Sequence, residues 1–318
     1  MTLFQTKKIR LFILLIIVLA IIMWVFQDDV RKFSFFQDSL EQSLPIKKDI
    51  RESDYLERID NFYIKEYSSA QVLLHTIKAD TYFSFNNSPV KLQVVEVQTF
   101  NKEQKEGAIL KSNQAEIHKS GQIFLNGEVN IKTKAGVSHE LETESLNIFS
   151  KTGLIKSSKK VSYMGEGVKI FAQGMEMNID SDIMYLVGNV KILESSGATI
   201  ETKNLHIFHE MGKKLYRSQD ESLYTSKNVA VTSKEGLNID MKLRLTNLLG
   251  DVKIITNSGS ELTTFNLLID QSNDGEIFKS NSSSHFQSNT VDIKSKKMHY
   301  DANTKKLKLM DKVLAIYE

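Results

Sequence analysis

The sequence predicts an all-β protein, in which one N-terminal transmembrane helix is followed by a long antiparallel β-structure. Three observations predict it. From about residue 55 the apolar residues alternate with period two, which places them on one face of a strand. A block of sequence recurs four times at a nearly constant spacing. Proline, which removes a ladder donor, occurs only at Pro45 and Pro89.

The N-terminus comes first. Lys7, Lys8 and Arg10 precede an uncharged run from Leu11 to Phe26, and Asp28 and Asp29 follow it. The run is short for a spanning helix and lengthens if Ile9 joins it and Arg10 snorkels to the headgroups. A cleaved signal peptide would need small residues before its cut, yet this run ends Ile22-Met23-Trp24-Val25-Phe26. An uncleaved anchor is therefore expected. The basic flank keeps residues 1–10 in the cytoplasm, and the bulk of the chain crosses the membrane. Residues 27–54 read either as a semi-ordered stalk or as a short amphipathic helix that ends at Pro45.

Candidate strands follow at Asn61–Tyr67, Ala70–Ala79, Val90–Phe100, Gln122–Lys132, Val168–Phe171 and Lys242–Ile255. Turn signals such as Asn86-Asn87-Ser88-Pro89 and Asn257-Ser258-Gly259 separate them. The recurring block reads LNGEVNI at 125–131, LVGNVKI at 186–192, LLGDVKI at 248–254 and LMDKVLA at 309–315. Gly127, Gly188 and Gly250 are 61 and 62 residues apart, and Asp311 holds the same slot in the fourth copy. LETESLNIF (141–149), IETKNLHIF (200–208) and LTTFNLLID (262–270) keep the register.

Alternate positions around the central residue give one apolar face. They are Ile123, Leu125, Val129 and Ile131, then Met184, Leu186, Val190 and Ile192. In the third copy Thr246 holds the first position and Leu248, Val252 and Ile254 follow, then come Leu307, Leu309 and Val313, so the face is almost wholly apolar. Glu128, Asn189 and Asp251 fall on the other face, so the strands have one wet side and one buried side. The glycine marks an expected bulge or bend, and Asp311 in its slot predicts an irregular last repeat.

Composition excludes several functions. A net charge of +2, with lysine and arginine spread among acids, offers no basic stripe for nucleic acid. The absence of cysteine removes disulfides, thiolate metal sites and cysteine nucleophiles. His206 and His209 are three apart but have no further ligand at a metal-site spacing. No nucleophile elbow or phosphate loop is present, so the expectation is no enzyme, no metal and no cofactor.

The anchor, the stalk and the Leu-x-Gly-x-Val-x-Ile strands together resemble the LptC family of lipopolysaccharide export. The likeness runs from residue 1 to about 193 and includes NFYIKEYSSAQVLLHTIKADTYF (61–83) and ILKSNQAEIHKSGQIFLNGEVNI (109–131). Residues 194–318 resemble the OstA-like repeats of LptA, through KKMHYDANTKKLKLMDKV (296–313). The resemblance implies an elongated, twisted antiparallel β-jellyroll of two facing sheets with lipid between them. It divides the chain into a tail (1–10), an anchor (11–26), a stalk (27–54), an LptC-like jellyroll (55–193) and extra OstA-like repeats (194–318).

It also implies a role in the inner membrane and periplasm. The protein would take lipopolysaccharide from an inner-membrane ABC transporter (LptB, LptF, LptG) and pass it to an LptA-like soluble bridge protein. The apolar set above, with Leu92, which aligns with an interior aromatic of the family, would line the lipid groove. Edge-strand contacts to partners would fall at Phe62 and Ile64 at one end, and at Val313 and Ile316 at the other. The competing reading is a membrane-tethered structural or ligand-binding β-solenoid with a dry core. Lysines near 305–312 could equally shield the last edge from pairing.

Overall fold

The computed structural model describes residues 55–317 apart from Lys102, Gln104, 134–138, Glu166, Asp182, 209–213 and Asp274. The expected tail, anchor and stalk lie outside the described residues. The chain divides into two units, Met1–Leu56 with Phe85–Ser88, and Glu57–Ser84 with Pro89–Glu318. Of the first, the described residues are Tyr55, Leu56 and the turn at 85–88. Every described strand belongs to the second, and no described residue is helical.

That unit begins as an antiparallel meander. Its strands are β1 (Glu57–Tyr67), β2 (Leu73–Ser84), β3 (Val90–Phe100), β4 (Glu106–Ile117), β5 (Gln122–Thr133) and β6 (Glu140–Phe149). Each pairs with the next.

After β6 the next two layers are cut in half. β7 (Leu154–Ser157) and β8 (Val161–Gly165) pair with the two halves of β6. β9 (Val168–Ala172) and β10 (Gly174–Asn178) pair with β8 and β7. The long strand β11 (Ile183–Glu194) then spans both, and β12 (Thr199–Phe208) pairs with it.

This order of two long strands and two cut layers repeats. β13 (Leu215–Ser218), β14 (Ser222–Thr225), β15 (Val229–Ser233) and β16 (Leu237–Asp240) are the next cut layers. β17 (Leu245–Thr256) and β18 (Glu261–Asp270) are long. β19 (Ile277–Ser280), β20 (Ser284–Gln287), β21 (Val291–Ser295) and β22 (Lys297–Asp301) are cut again. β23 (Lys306–Met310) and β24 (Leu314–Tyr317) finish the stack. This is the physical form of the 61–62-residue period.

Serine makes the cuts. The Ser157 hydroxyl accepts the Lys159 amide at 3.1 Å, Ser218 accepts that of Asp220 at 3.1 Å, and Ser280 accepts that of Ser282 at 3.2 Å. A side chain thus takes the acceptor role that a ladder carbonyl would have had, and the strand turns. Each serine also donates to the preceding long strand, at the carbonyls of Ser145, Lys203 and Phe265. Thr143, Thr202 and Thr264 lie within 3.0 Å of these serines, so each cut is a buried hydroxyl knot.

The long strands bend where the others are cut. Register slips between Asn126 and Val129, Leu186 and Asn189, and Leu248 and Asp251. Gly188 and Gly250 hold φ of 79° and 73° there, in the region that suits glycine. Their amides donate to Asn204 and Asn266 side chains at 3.0 and 2.7 Å. In the fourth copy Asp311 and Lys312 take φ of 61° and 52°, and the strand breaks into β23 and β24.

Cuts and bends fall on one line. They divide the stack into two walls of one continuous 24-stranded sheet, because each long strand passes from one wall into the other. This is the all-β antiparallel jellyroll expected, with its walls joined through the bend. The walls face each other with a stagger. Tyr163 of β8 meets Tyr216 of β13, with 3.5 Å between hydroxyls, and Tyr224 of β14 meets Phe278 of β19 edge-on at 6.3 Å.

Candidate functional site: an apolar track between two walls

Antiparallel register carries one residue from each strand into a row. In one wall Ile64 sits opposite Ile77, then Val97, Leu110, Ile131 and Leu141. The row goes on through Tyr163, Ile170, Ile192, Ile200 and Tyr224. It ends through Val231, Ile254, Leu262, Phe286, Ile293 and Ala315. No polar residue interrupts it.

The other wall has a matching row. It starts Val90, Ile117, Ile123, Ile148, Ile155, Met177 and Met184. It continues through Ile207, Tyr216, Ile239, Thr246, Ile269, Phe278, Tyr300 and Leu307. Thr246 is its single polar member. Together the rows make an apolar track from β1 to β24.

Of the sequence-predicted groove residues, Ile123, Ile131, Met184, Ile192, Ile254 and Leu307 lie in these two rows. Leu92, Leu125, Leu186, Leu248 and Leu309 form a neighbouring inner row, in which Leu92, Leu125, Leu186 and Leu248 are fully buried and Leu309 is partly so. Val129, Val190 and Val252 sit nearer the bend, each opposite a knot threonine. Val313 is different. It is 52% exposed beyond the Asp311–Lys312 break, because that break stops the strand before it.

The edge residues divide similarly. Phe62 is partly buried and stacks on Tyr82 with ring centres 4.8 Å apart, while Ile64 is exposed. Among the described residues β1 pairs only with β2, β23 only with β22, and β24 only with β21, so within that set both ends present unpaired backbone. Lys306 and Lys308 flank Leu307 on β23, whereas β24 carries no lysine and exposes Leu314, Ile316 and Tyr317.

Short strands hid part of the track. Tyr163, Tyr224 and Phe286 are 61 and 62 residues apart, as are Ile155, Tyr216 and Phe278. The repeat therefore carried that signal, but strands of four or five residues offer too few alternations to reveal it.

The interior is closed. Between the walls lies a cavity of about 70 Å³, lined by Thr99, Gly107, His139, Met177, Ile179 and Met184, which is room for water and not for an acyl chain. His139 Nδ1 and Tyr163 Oη lie 2.7 Å apart beside it. Burial pushes the Tyr163 phenol far above its ordinary range, and Tyr216 adds to this. His206 lies on the outer surface, stacked on Tyr185 at 4.6 Å, and His209 falls outside the described residues.

Glu194 is a carboxyl at the rim of this interior. Burial raises it above the ordinary carboxylate range, hydrogen bonds from Gln271 and Ser196 pull it back, and Glu276 raises it again. A carboxyl raised by folding weakens the fold when ionised. That cost is absent below the ordinary carboxylate range and grows as pH rises through the folded value. Glu194→Gln, which keeps an oxygen for Gln271, is therefore expected to raise the melting temperature by about 2 °C at pH 8 and to leave it unchanged at pH 4. A lower melting temperature at pH 8 would contradict this.

A family model described as lipopolysaccharide-assembly, LptC-related, matches residues 12–194 and again 214–318. The second match falls on the extension that the sequence likens to LptA. No curated protein matches the chain.

Proposed function

The chain belongs to the LptC family, and on that premise we propose that it accepts lipopolysaccharide from an inner-membrane ABC extractor and passes it along the apolar track toward the outer membrane. The observation that carries this reading is the pair of rows, one running from β1 to β24 and the other from β3 to β23. A closed core needs apolar residues inside, but it does not need them aligned end to end with an unpaired edge at each end. The acyl chains would part the walls and lie between them, which exchanges one apolar contact for another at little cost.

The rest of the reading follows the chain. Residues 11–26 anchor it in the inner membrane, with the N-terminus cytoplasmic. β1 would continue the sheet into the extractor, and β24 would continue it into an LptA-like soluble partner. The extra repeats would replace part of that soluble bridge. Nothing in this role calls for catalysis or a cofactor.

Photo-crosslinkers at Leu125, Leu186 and Leu248 test it. Each should capture lipopolysaccharide during ATP-driven transport, in that order along the chain. A second reading, a membrane-tethered structural β-solenoid with a dry core, draws on the 0% exposure of these same three residues. Under that reading none of the three captures lipid, with or without ATP.

A further inference from the structure

Opposite the bend, the two walls meet again at their rims, and in the last repeats polar side chains bridge them. Glu276, in the turn before β19, accepts from the Tyr224 hydroxyl at 2.8 Å and from the Ser226 hydroxyl at 2.7 Å. Tyr224 and Ser226 belong to the other wall, at the end of β14 and in the turn after it. Gln271, just past β18, donates to Tyr224 Oη at 3.1 Å and to Glu194 at 3.2 Å. Asn228 donates to the Ala302 carbonyl at 3.2 Å.

The bridge is not a requirement of the repeat. One period earlier, Lys214 holds the slot of Glu276 and Gly165 that of Ser226. There the walls meet through Tyr163 and Tyr216 instead.

We propose that this cluster is a latch on the lateral mouth of the groove, one that must open for each lipid passing through the extension. This rests on the groove reading above. The acyl chains can run between the walls, but a polar headgroup cannot enter an apolar interior and has to trail out through the mouth. Hydrogen bonds across the mouth stand in its path. Because the closure is polar, hydroxyl and phosphate oxygens of a headgroup can take up the donors of Tyr224, Ser226 and Gln271 as it passes. An apolar closure would offer no such exchange.

The chain has no cysteine, so Ser226→Cys with Glu276→Cys introduces a unique pair. The full chain carrying this pair would be joined by a short, reductant-cleavable bis-maleimide and assayed with the extractor and ATP. The expected result is that a photo-crosslinker at Leu125 still captures lipid, while capture at Leu307 falls by about tenfold or more and recovers on reduction. In the single-cysteine variants treated with the same reagent, capture at Leu307 should not change on reduction. Undiminished capture at Leu307 in the joined protein would overturn the latch. Lipid at neither position, joined or reduced, would overturn the groove reading and the latch with it. Glu276→Ala, which removes the acceptor without a link, should fill Leu307 at least as fast as the native chain. A slower rate would assign Glu276 to holding the track in shape and would also overturn the proposal.

Discussion

Gly236→Ala is expected to destabilise the protein by about 3 kcal/mol, the sum of a strained backbone and a forced overlap. Gly236 has φ of 96°, outside the range that residues with a Cβ adopt readily. A Cβ there would lie 2.1 Å from the Ser218 carbonyl oxygen and 2.8 Å from the Gln219 Cα. Both are backbone atoms at the cut between β13 and β14, so no rotamer change can clear them. Gly259 is the natural control. Its φ is 82°, and a Cβ would meet nothing within 4 Å. Gly259→Ala should cost only the backbone strain, about 1 kcal/mol. Urea denaturation followed by circular dichroism would separate the two. Equal midpoints for the two variants would show that the cut yields to make room.

Ending the chain after Leu193 should have the largest functional effect. The cut removes β12, the partner of β11, along most of its length. It also removes β13, and with it Tyr216, which covers Tyr163 from the facing wall. Because the walls are staggered, losing the extension uncovers residues that come before it. Tyr163, Ile170 and Ile192, each 0% exposed in the full chain, would then lie at an open end. The truncated protein is expected to melt far earlier and to lose about tenfold or more of its lipid delivery to the soluble partner. Wild-type delivery would refute the extension as part of the conduit. Unchanged melting would show that the facing wall contributes little cover.

Much of this fold was legible in the sequence. Val90–Phe100 was expected as a strand and is β3, and the four-fold block correctly placed the bends and the irregular end. Boundaries failed where side chains compete with the ladder. Ala70 is not in a strand, because Ser68 and Val72 close a turn around Gln71, whose φ is 61°. Lys242 is likewise in a turn, where the Asp240 carboxylate accepts the amides of Lys242 and Leu243. The cut strands were the main omission. Ser157, Ser218 and Ser280 recur at the right spacing, but a serine that ends a strand and one that lies within it look alike until their hydrogen bonds are seen. For the groove, the apolar face was readable and its residues lie inside, apart from Val313 beyond the last break. What could not be read is that the walls close on one another, since closure depends on which strands face each other across the interior.

The stagger has a bearing on assembly. β14 lies over β19, so β20, β21 and β24 reach past the place where the opposite wall stops. Phe286, Ile293 and Ala315 line the inner side of that overhang, and Tyr317 at its tip is 75% exposed. The last described layers thus end in a half-lap, not a butt end. A neighbour that only added a strand to β24 would leave this shelf wet. A neighbour of the same build begins with its other wall projecting, and that projection would lie on the shelf as the backbones join. Such a seam would be held over an area as well as along a line, and it would fit in one direction only.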